Sequence, residues 1–139
     1  MIAVAKADVP SVSGIYVATP VSTIMVPVTR DSRYTTTCAR VNSANVKVGK
    51  ANNLAGRHRN YIADFGANNI LFMPLAALVE TQRAETAILR KLSAVRMRSP
   101  KGGRMDWLEG IETRAVIATV FEALDAAHIS YRRLWMLES

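Results

Sequence analysis

The sequence predicts a small α+β domain, and three observations carry that prediction. Short β-prone runs stand at 14–19, 44–49 and 69–75, each closed by a glycine or proline signal. Stretches with helical spacing follow the second and third of these runs. Neighbouring short strands with helices laid beside them make a two-layer α+β arrangement.

Taken in order, Gly14 to Thr19 (GIYVAT) is rich in β-branched and aromatic residues and stops at Pro20, so it reads as a strand. Val21 to Val28 is also β-prone, but Pro20 and Pro27 suit an edge or a bulged hairpin. Residues 30–43, with Thr35-Thr36-Thr37 and three arginines, read as a hairpin or a loop. Ala44 to Gly49 alternates toward a second strand of the core sheet. Asn52 or Asn53 can cap a helix that runs to about Phe65 and ends at Gly66. Asn69 to Leu75 (NILFMPL) is a short buried strand closed near Pro74. Ala76 to Ala94 has helical spacing through Leu78, Ala84, Ile88, Leu89 and Leu92. Ser99 to Gly103 is a basic turn. From Thr113 to Ala127 or His128 a C-terminal accessory helix carries one stripe of Val116, Ile117, Val120, Phe121 and Leu124. Tyr131 to Leu137 is a last strand or a packed tail.

A chain of 139 residues is one domain, spanning 1–139, and is large enough to hold a core without staples. The single cysteine, Cys38, offers neither an internal disulfide nor a metal spacing, which points to a reducing compartment. No apolar run reaches the roughly 18 residues of a membrane span, and the first residues lack the apolar core of a secretory signal. The net charge of +7 is unevenly spread. Residues 30–104 hold fourteen Lys or Arg against four acids, whereas 105–139 are net acidic. A polyanion is the natural partner for that electropositive middle, solubility charge being the plain alternative.

The densest chemistry lies from Val46 to Tyr61. It reads as a strand, a glycine turn, an Asn cap and a helix bearing Arg57, with Tyr61 four residues on along the same face. Lys50 lies just before the cap, beside a helix N-terminus whose N–H groups and dipole favour phosphate. Phosphodiester hydrolysis needs a cation or metal to offset charge at phosphorus, a base for water, and a carboxylate to hold a hard ion such as Mg²⁺. Arg57 and Lys50 supply cations, Tyr16 and Tyr61 supply phenols, and Glu85 is the best-placed single carboxylate.

These residues are similar to those of the GIY-YIG endonuclease superfamily. Gly14-Ile15-Tyr16 stands as the first motif, and Lys47-Val48-Gly49 stands where Tyr-Ile-Gly belongs. The run from Val48 to Leu54, with Arg57 eight residues after Gly49 and then Tyr61, follows the family pattern. Ala84-Glu85 with Ile88, Leu89 and Leu92 resembles the family's metal-binding glutamate helix. Gly103 to Leu108 resembles the ending of a phage- and bacteria-associated subgroup that also carries Lys at the first position of the second motif. The resemblance covers about residues 14–108, with 20–43 as an insertion and 113–128 as an added helix. It implies a mostly antiparallel three-stranded central sheet flanked by helices, and a metal-dependent DNA endonuclease in the cytoplasm of a bacterium or of a phage's host. Arg57 would stabilise the scissile phosphate, Glu85 would bind Mg²⁺ or Mn²⁺, a motif tyrosine would act as base, and Tyr61 would assist. Lys47 replaces the second-motif tyrosine, so base duty would fall on Tyr16, helped by Lys50 or Tyr61. DNA would be held by Lys47, Lys50, His58, Arg59, Arg90, Arg98 and Lys101. No Asn follows Glu85, although many relatives carry one late in the fold.

Singly, each residue has a plainer reading. Tyr16 alone is a core or edge aromatic, Arg57 a solvated helix residue, and Glu85 a surface acid with Glu80 as its rival. His58 adjoins Arg57 and so points to another face, toward DNA or solvent. Arg90 to Arg104 form a solvated basic face that can also track phosphates. Trp107 is a core anchor. Two competing functions follow: a nuclease-dead DNA-binding module of the same fold, and a structural or inhibitory protein that docks a partner on its apolar C-terminal stripe. If cutting is sequence-specific, Arg30, Arg33, Tyr34 and Arg40 of the inserted segment are the candidate readers.

Overall fold

The computed structural model describes residues 9–27, 38–98 and 104–134. Gly14–Pro20 forms β1, Ile24–Pro27 β2, Cys38–Val41 β3 and Val46–Ala51 β4. Leu54–Phe65 forms α1, Ile70–Ala77 β5 and Thr81–Lys91 α2. After a 3₁₀ turn at Ser93–Val95 come β6 (Arg96–Arg98), β7 (Arg104–Leu108), α3 (Thr113–Ala126) and the short β8 (Arg132–Arg133). The fold is α+β, with three helices and antiparallel strand pairing throughout the described ladders.

The sheet is wider than expected: six strands in the order β6-β7-β4-β1-β5-β8, rather than three. Its centre, β4-β1-β5, is built from the three expected runs, and the β6–β7 pair extends it, the expected basic turn at 99–103 lying outside the described residues. Strands β2 and β3 form a separate two-stranded ladder, with Met25 opposite Arg40. Pro74 does not close β5, which runs on to Ala77. A register shift between Ile15 and Tyr16 falls beside Pro74, and a proline is tolerated where the ladder is already interrupted. Consequently α2 begins at Thr81, not Ala76, and Ala76 and Ala77 extend the strand. Of the tail, Arg132 and Arg133 pair with Ala77 and Ala76 as a strand.

Alternation along the strands sorts the core into two halves. Ile15, Val17, Val46, Val48, Met73 and Leu75 point to one side, where Ala84 and Ile88 of α2 and Val116, Val120 and Leu124 of α3 cover them. Tyr16, Ala18, Ala51, Phe72, Met105 and Trp107 point to the other, under Leu54 and Tyr61 of α1 and Val26 and Val41 of the β2–β3 ladder. Trp107 is thus the core anchor its sequence context suggested. No described helix is long and apolar enough to cross a membrane.

Candidate functional site

Two glycines decide how β1 packs against β4 and β5. A Cβ on Gly14 would lie 2.1 Å from the carbonyl oxygen of Ala76 and 2.9 Å from Leu54 Cδ1, so only glycine lets β1 approach β5 there. Gly49 is the register partner of Tyr16, and a Cβ on it would sit 2.4 Å from the Tyr16 Cζ and hydroxyl. The phenol therefore lies across the bare backbone of β4. Its other side stacks on Phe72, with centroids 4.7 Å apart at 22°.

This packing carries the Tyr16 hydroxyl to within 3.0 Å of the Tyr61 hydroxyl, either of which can be the donor. Both residues are buried, at 1% and 7% exposure. The rings meet edge to face, with centroids 5.7 Å apart at 72°. Above them Lys47, half-buried on β4, holds its ammonium 5.7 Å from the centroid of Tyr61. That is a cation–π approach. Lys47 thus stands over the Tyr61 ring.

Helix α1 starts as expected for its cap: Asn53 Oδ1 accepts from the Gly56 N–H at 3.1 Å. At the other end Gly66, at φ 90°, donates its N–H to Ile62. The anion site expected at the helix start is not available, however. The Leu54 and Ala55 N–H groups donate to the carbonyls of Val12 and Pro10, and the Arg57 N–H donates to Asn53. The N–H groups at the start of α1 are thus already engaged within the protein. Arg57 is half-buried one turn into the helix, on the flank beside Tyr61. Arg59 is exposed on the outer side.

His58 corrects the sequence reading. Its ring is half-buried against the sheet rather than fully solvated, stacking on Phe72 with centroids 5.0 Å apart at 20°. His58, Phe72 and Tyr16 form one column of rings, with Tyr61 and Phe65 beside it. Helical spacing explains this, because residue 58 falls between 54 and 61 on the inward stripe.

The remaining candidates lie elsewhere. Lys50 donates from Nζ to Gln82 Oε1 of α2, and Gln82 Nε2 donates to Thr86 Oγ1 at 3.3 Å. Glu85 is half-buried one turn farther along α2, with Oε2 shut off from solvent. Its neighbours Ala84 and Ile88 pack against the Ile15 and Val17 side of the sheet. So Tyr16, Tyr61, Lys47 and His58 belong to the α1 side, whereas Lys50 and Glu85 belong to elements meeting at α2 on the other side. Among the described residues no group of three or more His, Cys, Asp or Glu could hold a metal. Arg90 is exposed in the last turn of α2, Arg98 is exposed on β6 and Arg40 on β3. Lys101, Arg30, Arg33 and Tyr34 lie outside the described residues.

Two contributors went unnoticed in the sequence. Phe72 is the hub of the ring column, signalled only by its place in a short apolar run. Gln82 engages Lys50, and nothing in the sequence marks it. Comparison with protein-family models, curated proteins and solved structures finds no match to this chain.

Proposed function

We propose that this chain is a GIY-YIG-like endonuclease that hydrolyses DNA phosphodiester bonds with a divalent ion. The observation that carries the reading is the interlock of motif residues: Tyr16 fills the space that Gly49 leaves open, and Gly14 fits against the Ala76 carbonyl. Both glycines of the paired motifs thus have a steric reason to be glycine, and the helix bearing Arg57 starts directly beyond them. In this reading Arg57 offsets charge growing on the phosphate oxygens. One phenol of the pair, acting as the phenolate after its own proton has passed to solvent, would take the proton of the attacking water, while the other donates its hydroxyl to it across the 3.0 Å between them.

The donor set fits Mg²⁺ better than any softer metal. This ion commonly takes one or two carboxylates and completes its shell with waters and substrate phosphates, so Glu85 alone is a sufficient protein anchor. When bound, such an ion offsets phosphate charge and lowers the pKa of bound water.

A second reading, a DNA-binding module that does not cut, is favoured by one feature. The tyrosine pair and Glu85 belong to elements on opposite sides of the sheet. Cleavage of supercoiled plasmid with Mg²⁺ or Mn²⁺, using wild type, Arg57→Ala and Glu85→Ala, separates the two. Metal-dependent nicking lost in both variants supports the nuclease. Retardation of DNA without nicking selects the binding module, and nicking that survives both substitutions rejects the assigned site.

A further inference from the structure

Consecutive residues of a strand face opposite sides of its sheet. Gly49 lies under the Tyr16 ring, so Lys50 projects to the α2 side, at the level of its register partner Ile15. It is half-buried there. Its ammonium donates to Gln82 Oε1 in the first turn of α2. The other end of that amide is also engaged, because Gln82 Nε2 donates to Thr86 Oγ1 at 3.3 Å, one turn farther on. Thr86 therefore fixes which end of the amide meets the lysine. The flipped amide would set two donors, its NH₂ and the ammonium, against each other. Helical spacing puts Glu85 between this outward pair and the inward Ala84 and Ile88.

The residue type at position 82 matters as much as its place. A glutamine accepts from an ammonium without cancelling its charge, whereas a glutamate there would neutralise it. Lysine is a compact charge on a flexible four-carbon stem with three donors. Using one donor on Gln82 orders the stem and leaves the charge and the other donors for an anion. We propose that Gln82 and Thr86 are positioning residues, which hold the Lys50 ammonium, still charged, on the helix that carries Glu85 and ready for an oxygen of the substrate phosphate. The inference rests on the nuclease reading above and concerns residues that act through Lys50 rather than on DNA. Ordering the cation beforehand matters because a displacement of about 1 Å costs about 10²-fold in rate.

The test is a double-mutant cycle on the full chain: Lys50→Met and Gln82→Met, singly and together, with Thr86→Val and Gln82→Glu added. Two quantities are read. One is the single-turnover rate of plasmid nicking with Mg²⁺. The other is the rate at which acetic anhydride acylates Lys50, followed by mass spectrometry of its peptide. Gln82→Met should slow nicking by about 10- to 100-fold. It should also speed acylation of Lys50 by about two- to fivefold, because the acceptor that favours the ammonium is gone. The double variant should be no slower in nicking than Lys50→Met. Thr86→Val should shift both rates in the same directions by less. Gln82→Glu should keep Lys50 slow to acylate and still slow nicking, since position is kept while charge is cancelled. Additive losses from the two methionine substitutions overturn the proposal. So does acylation of Lys50 at the wild-type rate in Gln82→Met, which would make the amide only a bridge between β4 and α2. Wild type that does not nick removes the nuclease reading instead, and the acylation rates then decide the positioning by themselves.

Discussion

The two sides of the central sheet are furnished from the same strands but with different chemistry. On the α2–α3 side the strands contribute Ile15, Val17, Val46, Val48, Met73 and Leu75, and the helices answer with Val116, Val120 and Leu124. On the α1 side the same strands contribute Tyr16, Gly49 and Phe72, answered by His58 and Tyr61 with Lys47 at the rim. One side is sealed with aliphatic volume. The other buries hydroxyls and rings whose packing depends on a missing side chain. The contrast teaches that aliphatic burial on one side lets the other carry hydrogen-bonded hydroxyls in its core.

The largest way to break the contrast is to open the sealed side. Leu124→Ala removes a fully buried side chain and should cost about 2–5 kcal/mol by denaturant unfolding. DNA affinity per folded molecule should stay unchanged. Next comes Gly49→Ala on the aromatic side. Its methyl would meet the Tyr16 ring at 2.4 Å, so the ring must move, at about 1–3 kcal/mol. Here the functional readout should fall with stability, since the tyrosine pair is displaced; full nicking activity in this variant would contradict the assignment of that pair. Smaller again is Tyr61→Phe, which keeps the ring and deletes the 3.0 Å hydroxyl contact, at about 1 kcal/mol. A loss of cutting far beyond that stability change would single out the hydroxyl as chemical.

The smallest effect sharpens the comparison at the rim of the sealed side. Tyr131 packs beside Phe121, and its hydroxyl donates to Asp125 Oδ1 at 2.9 Å. Partial burial first, then the bond to and charge of Asp125, raise its pKa above the ordinary 10.0. A raised folded-state value means that its contribution is fully present below pH 10.0 and is lost as pH climbs through the higher folded value. Tyr131→Phe should therefore lower stability slightly across the neutral range and flatten its alkaline limb, the two proteins converging at high pH, as thermal melts across pH would reveal.

Much of the fold could be read from the chain, and the parts that could not have identifiable causes. Asn53 and Gly66 mark α1 because capping is local chemistry carried by single residues. The stripe of α3 is equally legible, since it repeats at helical spacing. Pro74 misleads, because whether a proline ends a strand depends on the neighbouring register, which no local pattern encodes. Ala76 and Ala77 suit helix or strand and are decided by pairing with β1 and β8. Arg96-Met97-Arg98 is too short and too charged to announce a strand before its partner is known. The site follows the same rule. Arg57 and Tyr61 are placed by helical spacing, but the burial of Tyr16 against Tyr61 and the turn of His58 toward Phe72 arise only when α1 is laid on the sheet.

The Tyr16 ring has one further consequence. It lies between the Gly49 backbone and the Phe72 ring, with its hydroxyl joined to Tyr61. A half-turn of that ring sweeps a volume that neither neighbour can vacate alone, so it must wait for β4 and α1 to part briefly. The two edges of the phenol should then give separate proton resonances that merge on warming. The rate of merging would be a clock, read inside the protein, for how often the aromatic layer breathes.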